Sequence, residues 1–506
     1  MNNKLLFFVF FLTLGLVTVN NTLPLMAAPY IVGELGASND ISFYVVTFYS
    51  IGNALGVPLG RGAMGRLQPC VFFLIILSLL AAVSFLTTMA TSYSSFIALR
   101  LLKGILGGTV FPVISTLLSA IASEKQKTRI TYTIVTIFTV VPAIGAACGG
   151  WISYDYHWQW LFQTNVPLCL ICGVYLYQRL RGCTVVLEKV PFDTVGYVFY
   201  VVSILAISIS LTMGQQLDWF RSPVITALSV LGVITGGFFV LWECNHPYPI
   251  LDFRLLKNFA FTFALFNLGV LFSAYFGMVI LLAFWLTLWV NYTPIWIGLI
   301  MGTMAIAGIL PRLLFVEGYE KMDTRYPIII STLLLALSSF HTMFFSVDID
   351  LGRIAFSRVI AGFGLAFFLS PLFRICFHTF PQEKTLPVVG FFQLVRVLSG
   401  GLGAAFYSIL FQRRQVFFHE RLGEKLNVFS SNTKEYFNNA ALLNIEGRSA
   451  VAELGNLLDR QATALALDDC FYLMVWILIG LFVLTLFTFF YSSRPFFPEK
   501  FQKELQ

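Results

Sequence analysis

The chain has 506 residues, of which 58% are hydrophobic, 16% aromatic and only 11% charged, with a formal net charge of +7 and a mean hydropathy of +0.81. Soluble domains carry about 25% charged residues, so this composition excludes an ordinary soluble globular protein. The positive balance does not point to nucleic acid, because the basic residues sit in short segments between apolar runs, where they report topology.

Apolar runs of about 20 residues, each long enough for a hydrocarbon core of ~30 Å, recur along the whole chain. They predict fourteen spans: 5–31, 41–60, 70–91, 95–121, 130–153, 159–178, 194–213, 222–242, 259–288, 294–316, 327–346, 352–375, 387–411 and 470–493. The first run begins near Lys4 like a signal peptide. It continues past Asn20 and Asn21 to Ile31 without a small-residue cleavage site, and so reads as a retained span. With the N-terminus placed in the cytosol, the cytosolic segments hold 19 Lys and Arg, whereas the short outer loops hold only Arg221 and Arg353. That asymmetry sets an even number of spans and puts both termini in the cytosol. One outer connection, 412–469, is long and polar. Its sequence fits either two helices extended beyond the membrane under a solvated cap, or a docking surface for an extracytoplasmic partner.

Segment 96–112, FIALRLLKGILGGTVFP, is apolar yet carries Arg100, Lys103, Gly104, Gly107 and Gly108. A cation in hydrocarbon costs ~2.5–3.5 kcal/mol on insertion scales and normally faces a polar interior. The glycines let a neighbouring helix approach closely. The pattern returns at 354–371 with Arg358 and Gly362, so spans 4 and 12 hold equivalent places in a duplicated chain. The expected organisation is all-α: a six-helix bundle over 1–181, two intervening spans over 182–257, and a second six-helix bundle over 258–506 that includes 412–469.

Four cations fall within spans: Arg100, Lys103, Arg358 and Arg396. Glu243, Asp252, Glu317 and Glu383 fall at span ends or in loops, and no acid falls at mid-span. Fixed positive charge without acids makes an electropositive cavity that favours an anion. Lys103 and Arg358 equally fit a snorkelled position near an interface, and Arg396 a cap on backbone carbonyls. Asn20, Asn21 and Thr22 interrupt span 1 and fit either ligand or helix–helix hydrogen bonding. In span 5, Pro142 precedes Gly145, Gly149 and Gly150, which form a smooth close-packing face. Cys169-x-x-Cys172 lies inside an apolar helix and reads as small packing residues. His341 lies toward the outer end of span 11, as a structural histidine or a proton relay. No phosphate-cradling loop, His-Glu metalloprotease spacing or nucleophile elbow occurs, so no catalytic or metal site is expected.

The ordered motifs resemble the EmrB/QacA subfamily of the major facilitator superfamily, fourteen-span exporters usually driven by proton exchange. Arg100-x-x-x-Gly104-x-x-x-Gly108-x-x-x-Pro112 is similar to the family's fourth-span motif, with Lys103 where Gln is common. Gly145, Gly149 and Gly150 fit its fifth-span motif, and Trp158-Gln-Trp160-Leu-Phe-Gln-Thr-Asn165-Val-Pro167 the start of its sixth span. Glu243…His246-Pro-Tyr-Pro249-Ile-Leu-Asp252-Phe-Arg254 resembles the segment after its eighth span, and Arg396-x-x-x-Gly400-x-x-Gly403 its span 13. Arg66 matches the Arg of the loop after span 2, where Gly65 and Gln68 replace an Asp and a Gly. Ala146 stands where Pro is usual, and Asn20 where the span-1 acid is expected.

The resemblance implies secondary active export of hydrophobic, anionic or weakly acidic small molecules by alternating access. It implies no cofactor, and a proton gradient as the energy source. The membrane would be the bacterial inner membrane, with a periplasmic adaptor and an outer-membrane channel as partners beside the small-molecule substrate and lipid. In this expectation Asn20, Asn21, Thr22, Arg100, Lys103, Arg358 and Arg396 serve the cavity. Arg66, Gly104, Gly108, Pro142, Gly145, Gly149 and Gly150 serve packing and gating. A facilitator or importer of a small anion, or a transport-inactive receptor, remains compatible with the sequence.

Overall fold

A computed structural model describes residues 3–64, 66–181, 191–314, 323–381, 384–427, 429–442, 445 and 447–491. The motif position Gly65, the loop acids Glu317 and Glu383, and the basic residues Lys189, Lys321, Arg494, Lys500 and Lys503 lie outside them. The described residues are helical with no strand, as expected where lipid offers the backbone no partners. Among the described residues, thirteen helical stretches are long and apolar enough to cross a membrane.

The first group comprises α1 (Asn3–Thr22), the short α2 (Ala28–Glu34), α3 (Tyr44–Met64), α4 (Pro69–Thr88), α5 (Tyr93–Gly108), α6 (Val110–Ile121), α7 (Glu124–Asp155), the single turn α8 (Trp160–Gln163) and α9 (Asn165–Leu180). Here α3 packs on α5, α4 on α9 and α1 on α7. Two further helices, α10 (Thr194–Met213) and α11 (Pro223–Asn245), pack on each other. The second group comprises α12 (Phe259–Leu288), α13 (Pro294–Leu314), α14 (Arg325–Thr342), α15 (Leu351–His378), α16 (Thr385–Gly423), α17 (Ser431–Leu442) and α18 (Arg448–Tyr491). In it α12 packs on α16, α13 on α15, and α14 on α15 and α18.

The fourth expected span is one crossing built of two helices, α5 and α6, that meet at Thr109. The expected span 327–346 is α14, which falls short of the thirteen in apolarity. Its polar residues explain this: beside Arg325 and His341 it carries Ser331, Thr332, Ser338, Ser339 and Thr342, hydroxyls that are all buried in the bundle. The last two expected spans are longer than their apolar runs. With 39 residues in α16 and 44 in α18, they measure about 58 and 66 Å at 1.5 Å per residue, twice a hydrocarbon core. The described residues of 412–469 therefore belong mainly to two extended helices with α17 between them. Arg414 pairs with Asp469, and His419 Nδ1 lies 2.7 Å from Asp459 Oδ1, tying the two extensions together.

Residues after α11 anchor the intervening pair. Arg61 Nη1, at the end of α3, donates to Pro249 O at 2.7 Å and Ile250 O at 3.3 Å. Leu251 N donates to Glu243 Oε2 at 3.2 Å, and Trp242 Nε1 to Asp193 Oδ2 at 2.7 Å.

The tight packing of α3 with α5 depends on glycines from both sides. A Cβ at Gly104 would strike Tyr49 O, one at Gly108 would strike Asn53 O, and one at Gly56 would strike Ile105 O. Backbone meets backbone there, so no side chain can swing away to make room. Substituting Gly108→Val should lower the thermal midpoint in detergent by the equivalent of about 1–3 kcal/mol, the usual range for overpacking. Gly237→Ala on α11, which has no atom within 4 Å of an added Cβ, should leave the midpoint unchanged. Equal midpoints for the two variants would refute the packing argument.

Candidate functional site

The two groups meet along a seam formed by α7 with α13 and α3 with α16. Near the end that bears 412–469, Thr47 Oγ1 donates to Gly401 O at 3.2 Å and Gln412 Nε2 to Asp40 O at 2.6 Å. There too, a Cβ on Gly150 would strike Pro294 O, and a Cβ on Gly298 would strike Ala147 O. The seam is closed on that side.

Beneath this closure lies a cavity of about 30 Å³, room for about two waters at 10–15 Å³ each. It is lined by Leu14, Val17, Thr18 and Asn21 of α1, Tyr49 and Asn53 of α3, Phe111 of α6, and Phe138 and Pro142 of α7. The second group contributes Phe276 of α12 and Gln393, Arg396 and Val397 of α16. Aromatic rings and aliphatic side chains form one part of the wall, amides and a guanidinium the other. Phe111 and Phe138 meet edge to face at 4.9 Å.

Arg396 is the cation on this cavity. Its Cζ lies 3.8 Å from the centre of the Phe138 ring and 5.6 Å from that of Phe272. An aromatic face partly replaces water for a desolvated guanidinium, an interaction of about 2 kcal/mol in such surroundings. Nε and Nη2 donate to Gln393 Oε1 at 3.2 and 3.0 Å. Gln393 Nε2 in turn donates across the seam to Asn53 Oδ1 at 3.2 Å. Asn21, which lines the cavity, pairs its amide with Ser50 Oγ, at 3.3 Å from Nδ2 and 3.5 Å from Oδ1.

The other three intramembrane cations do not line this cavity. Arg100, fully buried, donates from Nε to Val45 O at 2.9 Å and from Nη1 to Asn20 O at 2.8 Å. It reaches the cavity only through Tyr49, whose ring centre is 4.6 Å from its Cζ. Asn20 itself turns its side chain to Leu16 O at 2.8 Å, and Thr22 Oγ1 is buried against Gly145, so neither lines the cavity. Lys103 Nζ is buried without a hydrogen-bond partner, 4.9 Å from the Phe162 ring centre. Arg358, fully buried in the second group, donates from Nη2 to Thr342 Oγ1 at 2.6 Å, Ser357 Oγ at 2.9 Å and Ser338 Oγ at 3.3 Å. Carbonyls, hydroxyls and ring faces inside their own groups meet part of the cost of burying these side chains, while Arg100 Nη2, Lys103 Nζ and Arg358 Nε and Nη1 have no hydrogen-bond partner.

Gly145 and Gly149 seat α7 against Thr22 and Leu23, whereas Gly150 seats it against the second group at Pro294. Arg66 is exposed at the loop after α3, 6.0 Å from the Phe192 ring centre. Cys169 and Cys172 are buried free thiols. His341 packs edge-on to Phe345 and Phe356. Sequence reasoning missed Tyr49, Asn53 and Gln393. A polar residue at mid-span was the available signal for the two amides, and Gln393 stands one turn before Arg396 on the same helix face.

Residues 6–404 match the sequence profile of the Major Facilitator Superfamily. The chain is 29% identical over 469 residues to the fatty acid resistance protein FarB of Neisseria gonorrhoeae, covering 91% of this chain and 92% of that protein. It is 27% identical over 480 residues to the multidrug export protein EmrB of Escherichia coli K12, covering 94% and 93%. A crystal structure of a bacterial homolog of the human lysosomal transporter Spinster, inward-facing and unoccupied, superposes with a TM-score of 0.61 at 15% identity, covering 97% of this chain and 99% of that one. That last likeness is one of fold. With the paired helical groups, the seam between them and the profile match over most of its length, the chain belongs to the Major Facilitator Superfamily as a multi-pass membrane transporter.

Proposed function

We propose that this transporter exports hydrophobic, anionic or weakly acidic small molecules across the bacterial inner membrane by alternating access. The observation that carries the reading is Arg396, a permanent cation on a cavity whose other lining residues are apolar, aromatic or neutral polar and include no carboxylate. An apolar body fits against Phe111, Phe138 and Phe276, and an acidic head fits the guanidinium. The name of EmrB, a multidrug export protein, supports export as the direction. Both termini are assigned to the cytosol from the charge asymmetry of the loops. The closed end of the seam then faces outward. A cavity of two waters is too small for such a substrate, so loading requires the two groups to part. A proton gradient is the assigned energy source. Asn20 has no proton to cycle, so coupling does not run through the span-1 position.

In proteoliposomes under an imposed proton gradient, the protein should export dodecanoate faster than dodecanol. Equal export with and without gradients of pH and potential would remove the antiport part of the reading. Arg396→Met should weaken dodecanoate binding about tenfold or more, the worth of charge-assisted hydrogen bonds, while folding is retained. Arg100→Ala should do the reverse: a stability loss of about 1–3 kcal/mol from the two charge-assisted hydrogen bonds it removes, with near-normal affinity in the folded fraction. Unchanged dodecanoate binding in Arg396→Met would sink the anion reading.

The seam offers a direct check on alternating access. A Cβ at Gly302 would lie 3.9 Å from Ala147 Cβ, within the range a disulfide needs. In a Cys148→Ser background, the Ala147→Cys, Gly302→Cys pair should oxidise readily, stop transport when oxidised, and recover on reduction. Full transport by the oxidised protein would exclude movement at this seam.

An extracytoplasmic adaptor, leading to an outer-membrane channel, completes the proposal. The projecting segment holds Phe429 at 83% and Leu442 at 82% exposure, apolar side chains placed beyond the membrane where a partner can cover them. Replacing both with Asp should preserve export in proteoliposomes and reduce efflux from cells. Equal losses in both assays would contradict a partner-specific role.

A further inference from the structure

Resting on the anion reading above, we propose that Gln393 is an internal stand-in for the substrate carboxylate, and that its displacement by substrate releases the hydrogen bond joining the two helical groups. The geometry is specific. Arg396 Nε and Nη2 form one edge of the guanidinium fork, the edge that takes a carboxylate side-on, and a single oxygen, Gln393 Oε1, sits in it at 3.2 and 3.0 Å. The same amide donates from Nε2 to Asn53 Oδ1 on the opposite side of the seam at 3.2 Å. Gln393 and Asn53 are both buried, and all three residues line the cavity. One side chain thus occupies the anion position and holds α16 to α3.

A neutral amide oxygen is a weaker partner for guanidinium than a carboxylate, whose hydrogen bonds are charge-assisted and bidentate. An arriving carboxylate therefore takes the fork and expels Oε1. A neutral amphiphile has no such advantage, so the amide filters for charge as well as filling the site. Once expelled, the Gln393 amide loses the contact that orients its Nε2 toward Asn53, and the cross-seam bond loosens. Binding and seam opening become linked, and linkage is reciprocal: weakening the seam bond strengthens carboxylate binding. This makes Gln393 a positioning and specificity-determining residue for the transport cycle.

The test measures dissociation constants of dodecanoate and dodecanol for the purified full-length protein in nanodiscs, by titration calorimetry. Gln393→Ala removes the competitor and should bind dodecanoate about tenfold more tightly, within the usual span of coupling effects. Asn53→Ala, which keeps the amide but removes its cross-seam acceptor, should shift dodecanoate affinity in the same direction by less. Gln393→Glu tethers a carboxylate in the fork and should weaken dodecanoate about tenfold or more. The ratio of dodecanoate to dodecanol affinity should rise in Gln393→Ala and fall in Gln393→Glu. The opposite signs of the Ala and Glu variants separate this role from packing damage, which moves both probes alike, and either variant alone suffices if the other fails to fold. A Gln393→Ala protein that binds dodecanoate no more tightly, or a Gln393→Glu protein that binds it as wild type does, overturns the proposal. If Arg396→Met abolishes the preference for dodecanoate while the Gln393 variants do nothing, this inference fails and the anion reading stands. If wild type shows no preference at all, both fail.

Discussion

A polar group at membrane depth can draw partners only from the protein, because hydrocarbon supplies none. The architecture of the first group follows from how Arg100 meets that demand. Its guanidinium binds the main-chain oxygens of Val45 and Asn20, fastening α5 to α3 and α1 at one point. Such contacts require backbones in close reach, which the glycines facing across α3 and α5 provide. Cation and glycines form one structural device, and neither is useful without the other.

The repeat position in the second group solves the same problem with different chemistry. Arg358 relies on the hydroxyls of Ser338, Thr342 and Ser357, so α14 carries a polar face that makes it the least apolar of the crossing helices. Both arginines are fixed because their acceptors are integral to the helices they join. Arg396 is held otherwise. Its acceptor is one side-chain amide and its flank is an aromatic face, so a ligand can take the acceptor's place by displacing a single side chain, with no main-chain contact disturbed. A site that must load and empty needs a partner that can be exchanged, and the cavity forms around the cation that has one.

The same contrast runs along the seam. Toward the end bearing the long helices, the groups touch through glycine, proline and main-chain oxygen, with little side-chain bulk to unlock. At cavity depth they are joined by a side-chain hydrogen bond between Asn53 and Gln393. Beyond the closed end, α16 and α18 continue as a two-helix projection pinned by Arg414 with Asp469 and by His419 with Asp459.

Much of this was legible in the chain. Apolar runs of membrane length, the sidedness of Lys and Arg, and the recurrence of Arg100–Gly104 as Arg358–Gly362 determined an all-α duplicated bundle, since these depend on local composition alone. The polar, helix-compatible 412–469 segment already allowed extended helices. Which cation faces the cavity was not legible. Arg100, Lys103, Arg358 and Arg396 look alike as charges in apolar runs, and their fates depend on what lies opposite: carbonyls for the first, a ring for the second, hydroxyls for the third, and a cavity for the fourth. Asn53 and Gln393 are 340 residues apart in sequence, so no local pattern could join them. Sequence sets what each helix must bury; only the tertiary structure decides which partner meets it there, because that partner comes from another helix.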